Sequence, residues 1–319
     1  MAHAWKACWV QALRGSNPLS SAAEEFGHWL PVCVRGGDLM KNSGIPPIIW
    51  MYWDEGLEQA PEVVQFCEYS WRLLNPEYKV RVLEKATYEQ YVGLDSTGPD
   101  LGTLPVQQFT DVLRLELLKK NGGIWVDATL FCTKPLRDWL DPDHRSGVYL
   151  VDVPSSTDKF FDNFFIASRK GGKFVSRWLR LYLRYLSSNP KPMSHQLTKR
   201  LLKTVPGLRL KLGRIAFTSA YLRDRFGFPY FIVQYLGTRL LVSSPGSLLL
   251  WLRRDKVQPG KFSSLLRVEN PNVQLEQDLK AKRFPFIKLT HKALPDQVER
   301  LEAVMKVLRA WLARQAKVS

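Results

Sequence analysis

The stretch from Val106 to Leu136 constrains the fold more than any other part of the chain. A helical pattern over about 106–120 ends with Lys119 and Lys120 in its last turn, and Asn121-Gly122-Gly123 follows. Basic residues there compensate the helix dipole, and glycine supplies the left-handed conformation that stops a helix. Ile124-Trp125-Val126 then reads as a short buried strand, with Asp127-Ala128-Thr129 at its carboxyl end. Open α/β sheets place ligands beyond the carboxyl ends of their strands. Asp127 is therefore a candidate ligand contact, and Gly122 and Gly123 are expected to let backbone approach a ligand closely.

The preceding segment supports the same architecture. Ile45 to Trp53 is an apolar run rich in β-formers, closed by Asp54-Glu-Gly56. Pro61 opens a helix through about Leu74, with Val63, Val64, Phe66, Cys67, Ser70 and Trp71 on its inner side. Asn75-Pro76 ends it, and Tyr78 to Leu83 alternates as a second strand. Strand, helix, strand is the βαβ unit of a nucleotide-binding α/β protein. Further strands are expected over Gly147–Val153 and Asn163–Ala167, and a helix from about Phe174 to Leu186.

Within the first long helix, Asp111 and Arg114 stand three residues apart and share a face. Alone, such a pair is a surface ion pair worth a few tenths of a kcal/mol. It gains interest because its helix runs directly into the Gly-Gly, strand and Asp127 sequence.

Here the chain resembles a known family. Phe109-Thr-Asp111-Val-Leu-Arg114, Leu117-Leu118, Gly122-Gly123-Ile-Trp-Val-Asp127-Ala-Thr129 and Pro135-Leu136 are similar to the glycosyltransferases with a DXD-type sugar-binding region, in their capsular polysaccharide synthesis branch. Upstream, Ile48-Ile49-Trp50, Tyr52-Trp53, Gly56, Ala60-Pro61, Ser70-Trp71, Asn75-Pro76, Tyr78 and Tyr88 to Val92 follow in the family's order. Downstream, Phe164 to Ala167 and Lys288-Leu-Thr-His291-Lys292 are weaker matches. The resemblance implies an α/β, GT-A-like fold with a mixed, mostly parallel sheet flanked by helices. It implies transfer of a sugar from a nucleotide-sugar donor, a UDP-sugar favoured, to a glycan or lipid-linked glycan acceptor with retention of configuration. The Trp50 region, with Tyr52, would stack on the donor base. Asp111 and Arg114 would hold sugar hydroxyls, Asp127 would contact the ribose and the metal–diphosphate zone, and Gly122, Gly123 and Thr129 would complete the donor site.

One position departs from the wider family. The DXD signature ends in a second carboxylate, and here that residue is Thr129. A neutral hydroxyl is a poorer ligand for a hard cation than carboxylate oxygen. Manganese or magnesium, held by Asp127 and His291, is one way to stabilise the leaving diphosphate. Fixed cations are the other, with Lys288, His291 and Lys292 as candidates and Lys170 and Lys173 beside Gly171-Gly172 as further ones.

The formal net charge of +16 is unevenly spread: from Asn163 to Arg223 there is no Asp or Glu. Within that stretch Lys173, Arg177, Arg180 and Arg184 recur at helical spacing, a basic face suited to an anionic membrane surface. No apolar run is long enough to cross a bilayer, and the start of the chain does not read as a signal peptide. The expectation is a cytoplasmic protein, peripheral on the inner membrane face. Cys8, Cys33, Cys67 and Cys132 read as buried, reduced thiols. The expected organisation is an extension over 1–44, a catalytic domain over 45–295 (donor half 45–153, basic acceptor half 154–295), and an amphipathic helix over 296–319. Two alternatives stay open: a non-enzymatic basic protein binding membrane or nucleic acid, and a degenerate transferase that binds donor without turnover. No nucleic acid is expected, since zinc-finger spacing and RNP-type aromatics are missing.

Overall fold

Residue-by-residue alternation in the first strand sets the architecture. In β1 (Ile48–Tyr52), Ile49 and Met51 face one apolar core and Trp50 and Tyr52 face a second, so the sheet is covered on both sides. The computed structural model describes residues 44–92, 101–144, 147–152, 161–187, 232–242, 259–261, 265, 270–292 and 294–317. Cys8, Cys33, the expected extension before Gly44 and the basic residues from Lys191 to Arg223 lie outside these.

β1, helix α1 (Glu62–Leu74) and β2 (Lys79–Leu83) form the expected βαβ unit, with β1 and β2 parallel from Ile48↔Lys79 to Tyr52↔Leu83. Helix α2 (Val106–Asn121) leads through Gly122 into β3 (Gly123–Val126), which lies parallel on the other side of β1. β5 (Val148–Asp152) and β6 (Phe161–Ser168) complete the main sheet in the order β2-β1-β3-β6-β5. β6 is antiparallel to both β3 and β5, so four strands share one direction and β6 alone is reversed. The mixed, mostly parallel α/β sheet is as expected.

A second, three-stranded sheet was not legible in the sequence. It pairs β4 (Leu130–Cys132), β7 (Gly260–Lys261) and β8 (Phe286–Lys288) in the order β4-β8-β7. β8 runs antiparallel to β4, setting Lys288 opposite Leu130 and Cys132 opposite Phe286. Thr133 and Lys134 both donate backbone hydrogen bonds to Pro285 O, and Leu289 donates to Thr129 O, so the strand ends are held in register.

One core joins α1, the small sheet, α5 (Pro271–Lys280) and α6 (Val298–Ala316). The Trp71 ring is fully buried there, its indole N–H donating to Leu130 O at 2.6 Å. α6 buries Val304, Met305, Leu308 and Leu312, and Trp311 meets Phe131 edge-on, so this helix packs on the main body, while Val298 at its start is exposed. The other core joins α2, α3 (Lys173–Ser187) and α4 (Ile232–Val242). Cys67 and Cys132 are buried free thiols, as read from the sequence, and burial pushes the Cys132 thiol up to about 12. No helix among the described residues is long and apolar enough to cross a membrane.

Candidate active site

Helix α2 delivers Asp111 and Arg114 to the carboxyl-end side of the sheet, where β3 stops at Val126 and Asp127 begins the turn into β4. Asp127 N donates to Phe164 O at 2.9 Å, and Leu130 N donates back to Asp127 O at 2.9 Å. That turn aims the Asp127 carboxylate at α2. The Asp111–Arg114 pair is no surface ion pair: the two residues are 8% and 6% exposed, with Nη2 3.2 Å from Asp111 Oδ1. The same guanidinium lies 3.5 Å from Asp127 Oδ1 through Nη1 and donates to Thr110 O and Asn163 O. It also covers the Trp125 ring at 5.0 Å. One planar fork thus ties two carboxylates and three elements together, a geometry suited to arginine.

Two buried amides back the cluster. Asn163 Nδ2 donates to Asp111 Oδ1 at 2.7 Å, and Gln234 Nε2 donates to Asn163 Oδ1 at 2.8 Å. Asn163 reaches inward where the pairing of β5 with β6 jumps from Leu150↔Ile166 to Val151↔Asp162, an irregularity that leaves Asn163 to Phe165 without β5 partners. Such bulges re-aim side chains next to functional sites. Neither amide was singled out from the sequence. The local mark of Asn163 is a polar Asp162-Asn163 step inside a mostly aromatic and aliphatic strand.

The opposite wall comes from the second sheet. Lys288 Nζ donates to Asp127 Oδ2 at 2.7 Å and to Thr129 Oγ1 at 3.0 Å, and lies 5.8 Å from the Phe164 ring centre. Trp125 Nε1 donates to Asp127 Oδ1 at 3.0 Å. Burial penalises the Asp127 charge, but Lys288, Arg114 and these hydrogen bonds outweigh it and hold the carboxyl down at about 2. Asp111 goes the other way. Burial, aided by the Asp127 charge, exceeds the help of Arg114 and Asn163 and raises it to about 6. Two carboxylates on one guanidinium are thereby pushed about 4 pH units apart, a pattern found at functional sites.

Of the residues singled out from the sequence, Asp111, Arg114, Asp127, Thr129 and Lys288 come together. Others do not. Trp50 is 2% exposed, its indole N–H donates to Gly122 O at 2.9 Å, and its ring meets Tyr91 at 5.4 Å. It is a core residue with no free face for a base. Tyr52 is also buried, packed on Phe109 and Tyr88, with its hydroxyl on Asp54. Gly122 (φ +71°) and Gly123 (φ +97°) serve the chain rather than a ligand. A Cβ on Gly122 would lie 2.6 Å from Lys170 N, and one on Gly123 2.5 Å from Ile48 Cγ2 and 2.7 Å from Ile48 O. His291 is edge-on to Trp53, and partial burial with the Lys292 and Lys288 charges lowers its pKa.

The position between Asp127 and Thr129 is spanned by the Lys288 ammonium, and Thr129 adds no charge there. Among the described residues no group of three His, Cys, Asp or Glu stands together.

The fold and site define a two-sheet α/β protein whose polar centre is a carboxylate–guanidinium–ammonium cluster at a strand end, buried at Asp111 and Arg114 and partly exposed at Asp127 and Lys288. The chain belongs to the capsular polysaccharide synthesis protein family, whose model matches residues 38–209. It is 28% identical over 160 residues to an O-glycosyltransferase of Annulohypoxylon truncatum, covering 42% of this chain and 36% of that protein. A glycosyltransferase of Aspergillus fumigatus is 29% identical over 157 residues, covering 42% and 39%. The chain thus spans little more than a third of the length of these relatives. The solved PaToxG glycosyltransferase aligns at 18% identity and a TM-score of 0.38, over 66% of this chain and 84% of that one.

Proposed function

We propose that this protein is a glycosyltransferase of GT-A type that moves a sugar from a nucleotide-sugar donor to a hydroxyl of a glycan or lipid-linked glycan. The observation that carries the reading is the Asp111–Arg114–Asp127 cluster at the carboxyl end of β3. Carboxylate and guanidinium groups set in a preorganised, partly dry site recognise sugar hydroxyls with paired hydrogen bonds. In the proposed reaction the acceptor oxygen bonds to the anomeric carbon while that carbon's bond to the diphosphate oxygen breaks. The electron pair leaves with the phosphate, and the acceptor proton passes to phosphate oxygen or solvent. Asp111 and Arg114 hold the donor sugar, and Asp127 faces the ribose–diphosphate end. Retention of configuration belongs to this reading, and NMR of the product's anomeric proton tests it.

The principal test incubates the full chain with UDP-, GDP- and CMP-sugars and follows free nucleotide. One donor is expected to be turned over, with Asp127→Asn lowering the rate about 100-fold, the scale of losing one charged contact in the transition state. Because Asp111 is raised to about 6, protonation below that pH removes the carboxylate that binds hydroxyls. The kcat/KM profile should therefore fall on the acid side with a midpoint near 6. Asp111→Asn should remove that limb along with most of the activity. Lack of turnover of every donor, together with salt-sensitive RNA binding, would reject the reading in favour of a basic binding protein.

The partner surface we propose is an anionic membrane. Lys173, Arg177, Arg180 and Arg184 are all exposed on α3, while Val175, Trp178, Leu179 and Tyr182 are buried beneath them. Each cation near an anionic bilayer contributes about 1 kcal/mol. Flotation with vesicles containing phosphatidylglycerol is expected to drop at least tenfold when Arg177, Arg180 and Arg184 become Glu. Unchanged flotation removes the membrane from this proposal.

A further inference from the structure

Lys288 closes the Asp-Ala-Thr turn with a fixed positive charge. Its ammonium bridges Asp127 Oδ2 (2.7 Å) and Thr129 Oγ1 (3.0 Å), the two ends of the Asp-Ala-Thr turn. An ammonium has three N–H donors in tetrahedral array. Two are used on these oxygens, and among the described residues the third has no acceptor, which leaves it for an incoming one. The side chains of Lys288 and Asp127 are 28% and 25% exposed, so the group is open on one side. A mobile surface lysine would be a poor substitute for an ion, but this one is anchored. β8 pairs with β4 from Leu130↔Lys288 to Cys132↔Phe286, Leu289 N holds Thr129 O at 2.9 Å, and Phe286 stacks on Phe165 at 5.3 Å. The strand that carries the ammonium is thus fastened to the turn that carries its partners.

The charges agree with the geometry. Asp111 and Asp127 are balanced by Arg114 and Lys288. A second carboxylate at position 129 would leave the site with a net negative charge and favour a dication; a threonine there leaves a single ammonium sufficient. A diphosphate brought against this wall would meet a positive group fixed in place before the reaction, so no reorganisation is needed as charge builds on the leaving oxygen.

We propose that Lys288 is the site's built-in cation, stabilising the departing diphosphate in place of a divalent metal, so that transfer proceeds without metal. This rests on the glycosyltransferase reading, and two measurements keep the two separable. The first is nucleotide release in EDTA and in Mn²⁺. The expected result is rates within twofold of each other. Lys288→Met is expected to lower kcat about 100-fold with a smaller change in KM, because the charge it meets develops in the transition state. Lys288→Arg, which keeps the charge, should retain more activity than Lys288→Met. Release that is abolished by EDTA and restored by Mn²⁺ overturns the inference while leaving the enzyme reading intact. The second measurement needs no donor: Mn²⁺ alone is titrated into the wild-type chain and followed by electron paramagnetic resonance. The expected result is no stoichiometric site in the wild type. One bound Mn²⁺ per chain that disappears in Asp127→Asn overturns the inference, whether or not a donor has been found.

Discussion

Arg114→Met is expected to abolish nucleotide release, by about 1000-fold or more, and to lower the melting temperature by about 10 °C. The guanidinium touches Asp111, Asp127 and the backbone of both Thr110 and Asn163. Methionine preserves much of the apolar stem but leaves Asp111 buried without its charge partner. Breaking a buried ion pair from one side costs about 3–5 kcal/mol, because the remaining charge is uncompensated. In a domain of this size each kcal/mol corresponds to roughly 2–4 °C. Arg114→Lys should recover little of either effect, since a single ammonium cannot span two carboxylates and two carbonyls as a planar fork does. Thermal melts and the nucleotide-release assay check both halves. A variant melting within 2 °C of wild type, with a rate within tenfold, would contradict the role given to Arg114.

Gly123→Ala is expected to be strongly disruptive. At φ +97° an L side chain is strained by about 1–3 kcal/mol. The new Cβ would also lie 2.5 Å from Ile48 Cγ2 and 2.7 Å from Ile48 O, and the latter belongs to the β1 backbone. Overpacking against a fixed wall adds about 1–3 kcal/mol. We expect a melting temperature lowered by about 10 °C, or an insoluble product. Gly171→Ala is the control. Its φ is +69°, but nothing lies within 4 Å of the added Cβ, so only the backbone strain of about 1–2 kcal/mol applies. Equal melting temperatures for the two variants would refute the close-approach argument.

These glycines show how a correct local reading can carry the wrong purpose. Asn121-Gly122-Gly123 marks the end of a helix and the start of a strand from sequence alone, and both are found there. What approaches the glycines is the chain's own first strand and Lys170, and no local pattern reveals that. Trp50 makes the same point. It sits in an apolar run that reads as a buried strand, and burial is where it stays; the donor-stacking role came from family resemblance alone.

The local order of the chain was determined by its sequence: the βαβ opening, α2 with its Asp-x-x-Arg spacing, the strand that ends at Asp127, and the outward cations of α3. Helical period, strand alternation and capping residues act over a few neighbours, so they leave marks that can be read in place. Tertiary structure alone decided what the Asp127 turn faces. Asn163 lies 52 residues from Asp111, Gln234 lies 71 from Asn163, and Lys288 lies 161 from Asp127. Lys288 arrives through a three-residue strand paired with another of three residues, too short for any periodicity to announce. The register of that pairing, set by side-chain packing between distant segments, turned a basic residue near the end of the chain into the cation beside Asp127 and Thr129.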